Sequence, residues 1–162
     1  MKPLSVVVRT GCDMFAWFMV VFGTYVIVHG DVTPGGGFQG GAVVATFAAL
    51  LLVAYGGEKV LSWISLDIYN TFLTAGLLLF LLFGFAGMGT SFLYNFLAVP
   101  EAVVHAGGGP AVIPPSGTIA LMDIAVGLEV AGGLTLIILY MFKGSRLEIN
   151  SETGGETGHD SW

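Results

Sequence analysis

The chain has 162 residues, 55% of them hydrophobic and 10% charged, with a formal net charge of −6. Soluble domains carry about 25% charged residues, so an ordinary soluble enzyme is excluded, and with no basic run to hold a phosphate backbone nucleic acid is excluded as a partner. The single cysteine, Cys12, forms no internal disulfide and supplies no paired-cysteine redox or iron–sulfur signature.

Residues 32–57 and 68–100 contain no charge at all, and gaps of that length mark bilayer-spanning segments of about 20 residues. The pattern predicts an all-α integral membrane protein with four transmembrane helices. The first covers 4–28 and reaches about 37 Å, enough to cross with some tilt. Lys2 ahead of an apolar run also suits a signal peptide, but Asp13 interrupts the run and no small-x-small cleavage site follows Val28, so the segment is expected to be retained. Over 29–41 the chain holds Pro34 and five glycines within 34–41, which predicts a Gly-rich turn or unwound segment between helices 1 and 2. A second helix over 40–55 is then about 24 Å long, short of the roughly 30 Å hydrocarbon core. The glycine segment is therefore expected to dip into the membrane, with its amides turned to protein or water.

Residues 56–67 read as a short polar connection carrying Glu58 and Lys59, with Trp63 and Tyr69 where interfacial aromatics belong. The third helix covers 68–88. Over 89–118 the chain is apolar yet broken by Pro100, Gly107, Gly108, Gly109, Pro110, Pro114 and Pro115. That predicts a long outer loop lying against other subunits. The fourth helix covers 119–142, and 143–162 read as a polar, largely disordered cytoplasmic tail. Lys2, Arg9, Lys59, Lys143 and Arg146 fall on one side of a four-span arrangement, so both termini are expected to be cytoplasmic.

Ionisable groups inside spans cost about 2.5 to 3.5 kcal/mol each on insertion scales, so they mark the ion-path candidates: Glu129, Asp123, Asp13 and His29. Glu129 lies near the middle of the fourth helix, with Ala125, Gly132 and Gly133 on its face. It reads either as a proton- or cation-binding carboxylate or as a structural acid, protonated or paired with a neighbouring subunit's lysine. Asp123 lies about 120° around that helix and roughly 9 Å nearer the outer surface. It suits an access group on the outer side, but the backbone dipole favours an acid in the first turns of a helix anyway, and the structural reading is preferred. Arg9 and Asp13, four residues apart, are expected to pair; Asp13 as the inner mouth of a path is the lesser reading. His29 and Asp31 sit at the outer end of helix 1, where a histidine usually makes hydrogen bonds and seldom shuttles protons. The three glycines before helix 2 suggest an anion cradle, but no GK[ST] follows, and close packing or a discontinuous helix fits better. His29, Asp31 and His105 have no metal-ligand spacing, so no metal site is expected. His105 with Glu101 makes no catalytic pairing.

The string Pro34-Gly35-Gly36-Gly37-Phe38-Gln39-Gly40-Gly41, the small-residue-rich second helix and the run Asp123-Ile124-Ala125-Val126-Gly127-Leu128-Glu129-Val130-Ala131-Gly132-Gly133-Leu134 together resemble the MnhB family. That family comprises one of the small membrane subunits of multi-subunit Mrp-type sodium/proton antiporters, together with related subunits of membrane-bound hydrogenase-type complexes. The resemblance spans helices 1 to 4 and implies an accessory subunit in the lipid bilayer, partnered by other membrane subunits. It further implies sodium and protons as transported ions, with no cofactor and no active site in this chain. An ion-translocating subunit of a hydrogenase-type respiratory complex, a purely structural scaffold and an independent channel of identical copies are the alternatives.

Overall fold

The computed structural model describes residues 5–32, 34–89, 91–98 and 116–156. The greater part of the expected loop, 99–115 with Glu101 and His105, lies outside the described residues, as do Lys2 and the chain from 157 onward. The elements are α1 (Val6–Val28), α2 (Gly37–Tyr55), α3 (Gly57–Trp63), α4 (Leu66–Ala86) and α5 (Thr118–Glu156). Four segments are long and apolar enough to cross a membrane: Val6–Val28, Gly37–Tyr55, Leu66–Ala86 and Thr118–Ser145. The protein is an all-α, multi-pass membrane protein.

Three boundaries differ from the sequence expectation, each for a physical reason. The glycine segment is not irregular to its end: α2 starts at Gly37, so Gly37 to Gly41 are helical. Gly36 caps it at φ 92°, a backbone conformation that suits glycine. The connection after α2 is not a plain loop, because Gly56, at φ 79°, ends α2 and starts the short helix α3 in one residue. Residues 143–156, expected as disordered tail, continue α5 as helix; no proline interrupts them, and extending an existing helix avoids the cost of nucleation.

The spans pack as a row in the order α1, α2, α5, α4, with slight contact of α1 on α5 and, among the described residues, α4 touching only α5. The core of this row is made largely of alanine, with Ala45 and Ala48 of α2 and Ala120, Ala125 and Ala131 of α5 all buried. Lipid tails are as apolar as leucine, so helices in a bilayer associate through close van der Waals approach, which small residues permit. A Cβ on Gly41 would lie 2.7 Å from the Gly127 carbonyl oxygen, and one on Gly40 would lie 2.7 Å from that of Gly23. On the opposite side of α5, a Cβ on Gly76 of α4 would lie 2.6 Å from the Glu129 nitrogen. At one end of the row α3 closes onto α5: Val60 and Leu139 are fully buried, and Gly57 lies against the Phe142 ring.

Gly41→Val should force α2 away from α5 backbone, costing about 1 to 3 kcal/mol as overpacking and lowering the melting temperature of the detergent-extracted protein. Gly11 has no neighbour within 4 Å of a Cβ, so Gly11→Ala should raise that temperature slightly through helix propensity alone.

Candidate functional site

The Gly-rich string and Asp123 meet. Residues four apart on α5, Asp123, Gly127 and Ala131, share the face turned to α2. There the Asp123 Oδ1 accepts a hydrogen bond from the Gly37 N–H at 2.6 Å. The first amides of a helix have no partner within it and carry partial positive charge, so a carboxylate oxygen is a favourable acceptor. Asp123 thus answers the start of α2, not the dipole of its own helix as the sequence suggested. Its other oxygen, Oδ2, is fully buried with no hydrogen-bond partner among the described residues. Gly30, at the end of α1, closes over that oxygen so tightly that a Cβ there would overlap it, and a Cβ on Gly36 would stand 3.1 Å from Oδ1.

Within the string, Gly36, Gly37, Gly40 and Gly41 are buried while Pro34, Gly35, Phe38 and Gln39 are exposed. The glycines therefore serve backbone approach, and Phe38, 61% exposed, points away from the packed face. Around the same end runs a polar network. The Ser116 hydroxyl donates to Asp31 Oδ2, and Asn95 Nδ2 donates to the Ser116 carbonyl at 2.7 Å. Asn95 Oδ1 in turn accepts from the Thr118 N–H at 2.8 Å and from its hydroxyl at 2.6 Å. Asn95 so caps the start of α5 and ties it to the chain leaving α4. His29 lies with Nδ1 3.1 Å from the Tyr25 carbonyl oxygen and its ring stacked on that of Tyr25 at 4.3 Å.

Glu129 sits on the other face of α5, at the contact with α4. Gly76 packs on its backbone, and the small residues flanking it are occupied by α4: a Cβ on Gly132 would lie 2.8 Å from the Tyr69 carbonyl, and one on Gly133 would lie 3.3 Å from Leu73. Asp123 and Glu129 therefore face different helices and do not form one site.

The opposite end of the row gathers Asp13, Tyr55, Arg9 and Lys59. Arg9 and Asp13 do not form the expected ion pair; Tyr55 stands between them. The Tyr55 hydroxyl donates to Asp13 Oδ2 at 2.5 Å, and the Arg9 guanidinium lies 4.8 Å from the Tyr55 ring centroid. Lys59, brought in by α3, lies 5.3 Å from the same ring and 4.8 Å from that of Trp63. A phenol can serve both charges, giving its O–H to the acid and its π-face to the cation. Among the described residues no group of three His, Cys, Asp or Glu side chains could hold a metal ion. The partners that sequence reasoning missed are Gly30, Tyr55, Asn95 and Ser116. A tyrosine closing an apolar helix, with an acid within the neighbouring one, is the signal that could have pointed to Tyr55.

Fold and site together define a small polytopic membrane protein whose helices dock through glycine and alanine, with carboxylates held at both ends and in the middle of the row. Residues 7–136 match the family model described as a domain related to the MnhB subunit of the Na+/H+ antiporter. The chain belongs to the MnhB family. It is 37% identical over 119 residues to an uncharacterized protein of Methanocaldococcus jannaschii, covering 72% of this chain and 44% of that one. It is 29% identical over 151 residues to the putative antiporter subunit mnhB2 of Staphylococcus haemolyticus, covering 89% and 99%. The chain thus spans less than half of the Methanocaldococcus relative and nearly all of the staphylococcal one. In fold it is similar to a chain of the archaeal membrane-bound sulfane sulfur reductase, a respiratory membrane complex, with a TM-score of 0.69 at 24% identity over 87% of this chain and 59% of that chain.

Tyr55→Phe should keep the ring under Arg9 and Lys59 but leave the part-buried Asp13 without its donor and so destabilise the protein. A fall in melting temperature checks this, and an unchanged value would show that water replaces the phenol at no cost.

Proposed function

We propose that the chain is an accessory membrane subunit of a multi-subunit cation/proton antiporter module, with sodium and protons as the exchanged ions. The observation that carries this reading is membership of the MnhB family across residues 7–136, which include nearly all of α1, α2 and α4 whole and the first half of α5. The likeness to a putative antiporter subunit over 99% of that subunit's length supports the same role at the scale of the entire staphylococcal chain. Packing is in keeping with it: α1, α2, α5 and α4 lie in a row, so an ion path along α5 takes walls from other subunits. The flanking helices α1 and α4 offer those walls broad apolar faces, with Met14 71% exposed on α1 and Leu82 60% on α4. Arg9, Lys59 and Lys143 share one end of the row, and the excess of basic residues usual on cytoplasmic ends supports a cytoplasmic placement of that end. The Asp123 and Asp31 end then lies on the outer side.

In this reading Glu129 is the carboxylate that faces the path in mid-membrane, since an acid at that depth is retained for translocation or for helix pairing. The scaffold reading rests on a specific contact, the close backbone approach of Gly76 to Glu129, which a structural acid would serve equally well. Glu129→Gln in the intact complex separates the two. Sodium-dependent proton movement in vesicles should fall at least tenfold with subunit composition unchanged; an unaltered rate in an assembled complex establishes the scaffold instead. The chain reconstituted alone should move no ions. Mass spectrometry of the natively extracted complex identifies the host: antiporter-like partners alone mark a free-standing exchanger, and a hydrogenase-type large subunit marks a redox-driven one.

A further inference from the structure

We infer that Asp123 is a proton-binding carboxyl, taking up and releasing its proton at Oδ2 beneath Gly30 where α1, α2 and α5 meet. The inference rests on the antiporter reading only for its transport readout; proton binding itself does not depend on it.

The two oxygens of this carboxyl group are held differently. Oδ1 is satisfied by the Gly37 N–H, and it remains an acceptor whether the group is ionised or neutral. Oδ2 is fully buried and has no partner among the described residues. Oδ2 is thus the oxygen that can take a proton without disturbing the bond from the Gly37 N–H.

No cation among the described residues relieves the charge. From the end of α1, the titratable neighbours on either side of Gly30 are His29, turned to the Tyr25 carbonyl, and Asp31, an acid already bound by Ser116. From the start of α2 the facing residues are Gly36 and Gly37, both neutral. At the start of α5, Ser116, Thr118 and Asn95 form a hydrogen-bonded group that is again uncharged. Among the described residues α4 makes no contact with α1 or α2, and its one charged residue, Asp67, lies in its first turn. On α5 itself the next ionisable group is Glu129, on the face turned to α4.

The same geometry selects the proton over a metal cation. A hard cation gathers several oxygen ligands around itself, but Gly30 backbone occupies the space beside Oδ2 so fully that a single methyl group would overlap the oxygen. A proton needs no coordination shell. In the step itself one O–H bond forms at Oδ2 on uptake and breaks on release, the carboxyl changes charge by one, and no other bond is made or lost.

The test uses the intact complex with Asp123→Asn, whose amide oxygen can accept from Gly37 while its NH2 takes the place of a protonated Oδ2. Infrared difference spectra across a pH step should show a carboxylic acid carbonyl band in the wild type that is missing from Asp123→Asn and present in Glu129→Gln. The Asn variant should assemble as the wild type does and melt within a degree or two of it, and proton-coupled exchange should fall at least tenfold. A band that persists unchanged in Asp123→Asn overturns the proposal. Failure of that variant to assemble also overturns it, since the negative charge would then be what holds α5 to α2. Loss of the band with exchange unaffected leaves proton binding standing and removes Asp123 from the antiporter's path, so the two readings fail separately.

Discussion

The contact between α2 and α5 is made of backbone on backbone, and most of the architecture follows from it. Helices immersed in lipid gain nothing from hiding apolar side chains from each other, so their association depends on how closely main chains can approach. Here Gly41 meets the Gly127 carbonyl, and the Gly37 N–H reaches across to the Asp123 carboxyl. That polar bond orients a contact that small residues merely permit. It also satisfies an amide that would otherwise lie unpaired at a helix start within the membrane. Once α5 is docked on α2, its opposite face is left to α4 at Gly76, and the order of the row is set.

The distribution of carboxyl groups has a common logic. Asp13, Asp31 and Asp123 each meet a donor that is neutral: a phenol, a hydroxyl and a backbone amide. Neutral donors lower the cost of holding an acid in or near the membrane without cancelling its charge. Arg9 and Lys59 stand off from Asp13 on the faces of aromatic rings. A chain arranged in this way fits a subunit that lines or borders a path and leaves the completion of that path to its neighbours.

Several features were legible in the residues themselves. The charge-free stretches located the second and third spans, the apolar runs around Arg9/Asp13 and Asp123/Glu129 the first and fourth, and the glycine string marked the joint between the first two. The string from Pro34 to Gly41, the small-residue-rich second helix and the pattern from Asp123 to Leu134 together carried the family resemblance, which the match over 7–136 supports. Other features were hidden for a definite reason. A glycine run reads as helix-breaking when only propensity is considered, yet α2 begins inside it, because a carboxyl 86 residues away in sequence supplies the missing acceptor. Arg9 and Asp13 read as a pair because they are one helical turn apart, but Tyr55, 42 residues beyond Asp13, competes for both.

What the sequence alone determined is the membrane as solvent, the number of crossings and the family, since these depend on composition and local periodicity, which require no knowledge of neighbours. What tertiary structure decided is which acid meets which donor. Asp123 looked like the dispensable acid of a helix start and Glu129 like the central one. The fold buries an oxygen of Asp123 that has no partner among the described residues and sets Glu129 against a different helix. Helix geometry fixes only the angle between two side chains on the same helix; what each side chain meets depends on how the other helices are placed around it.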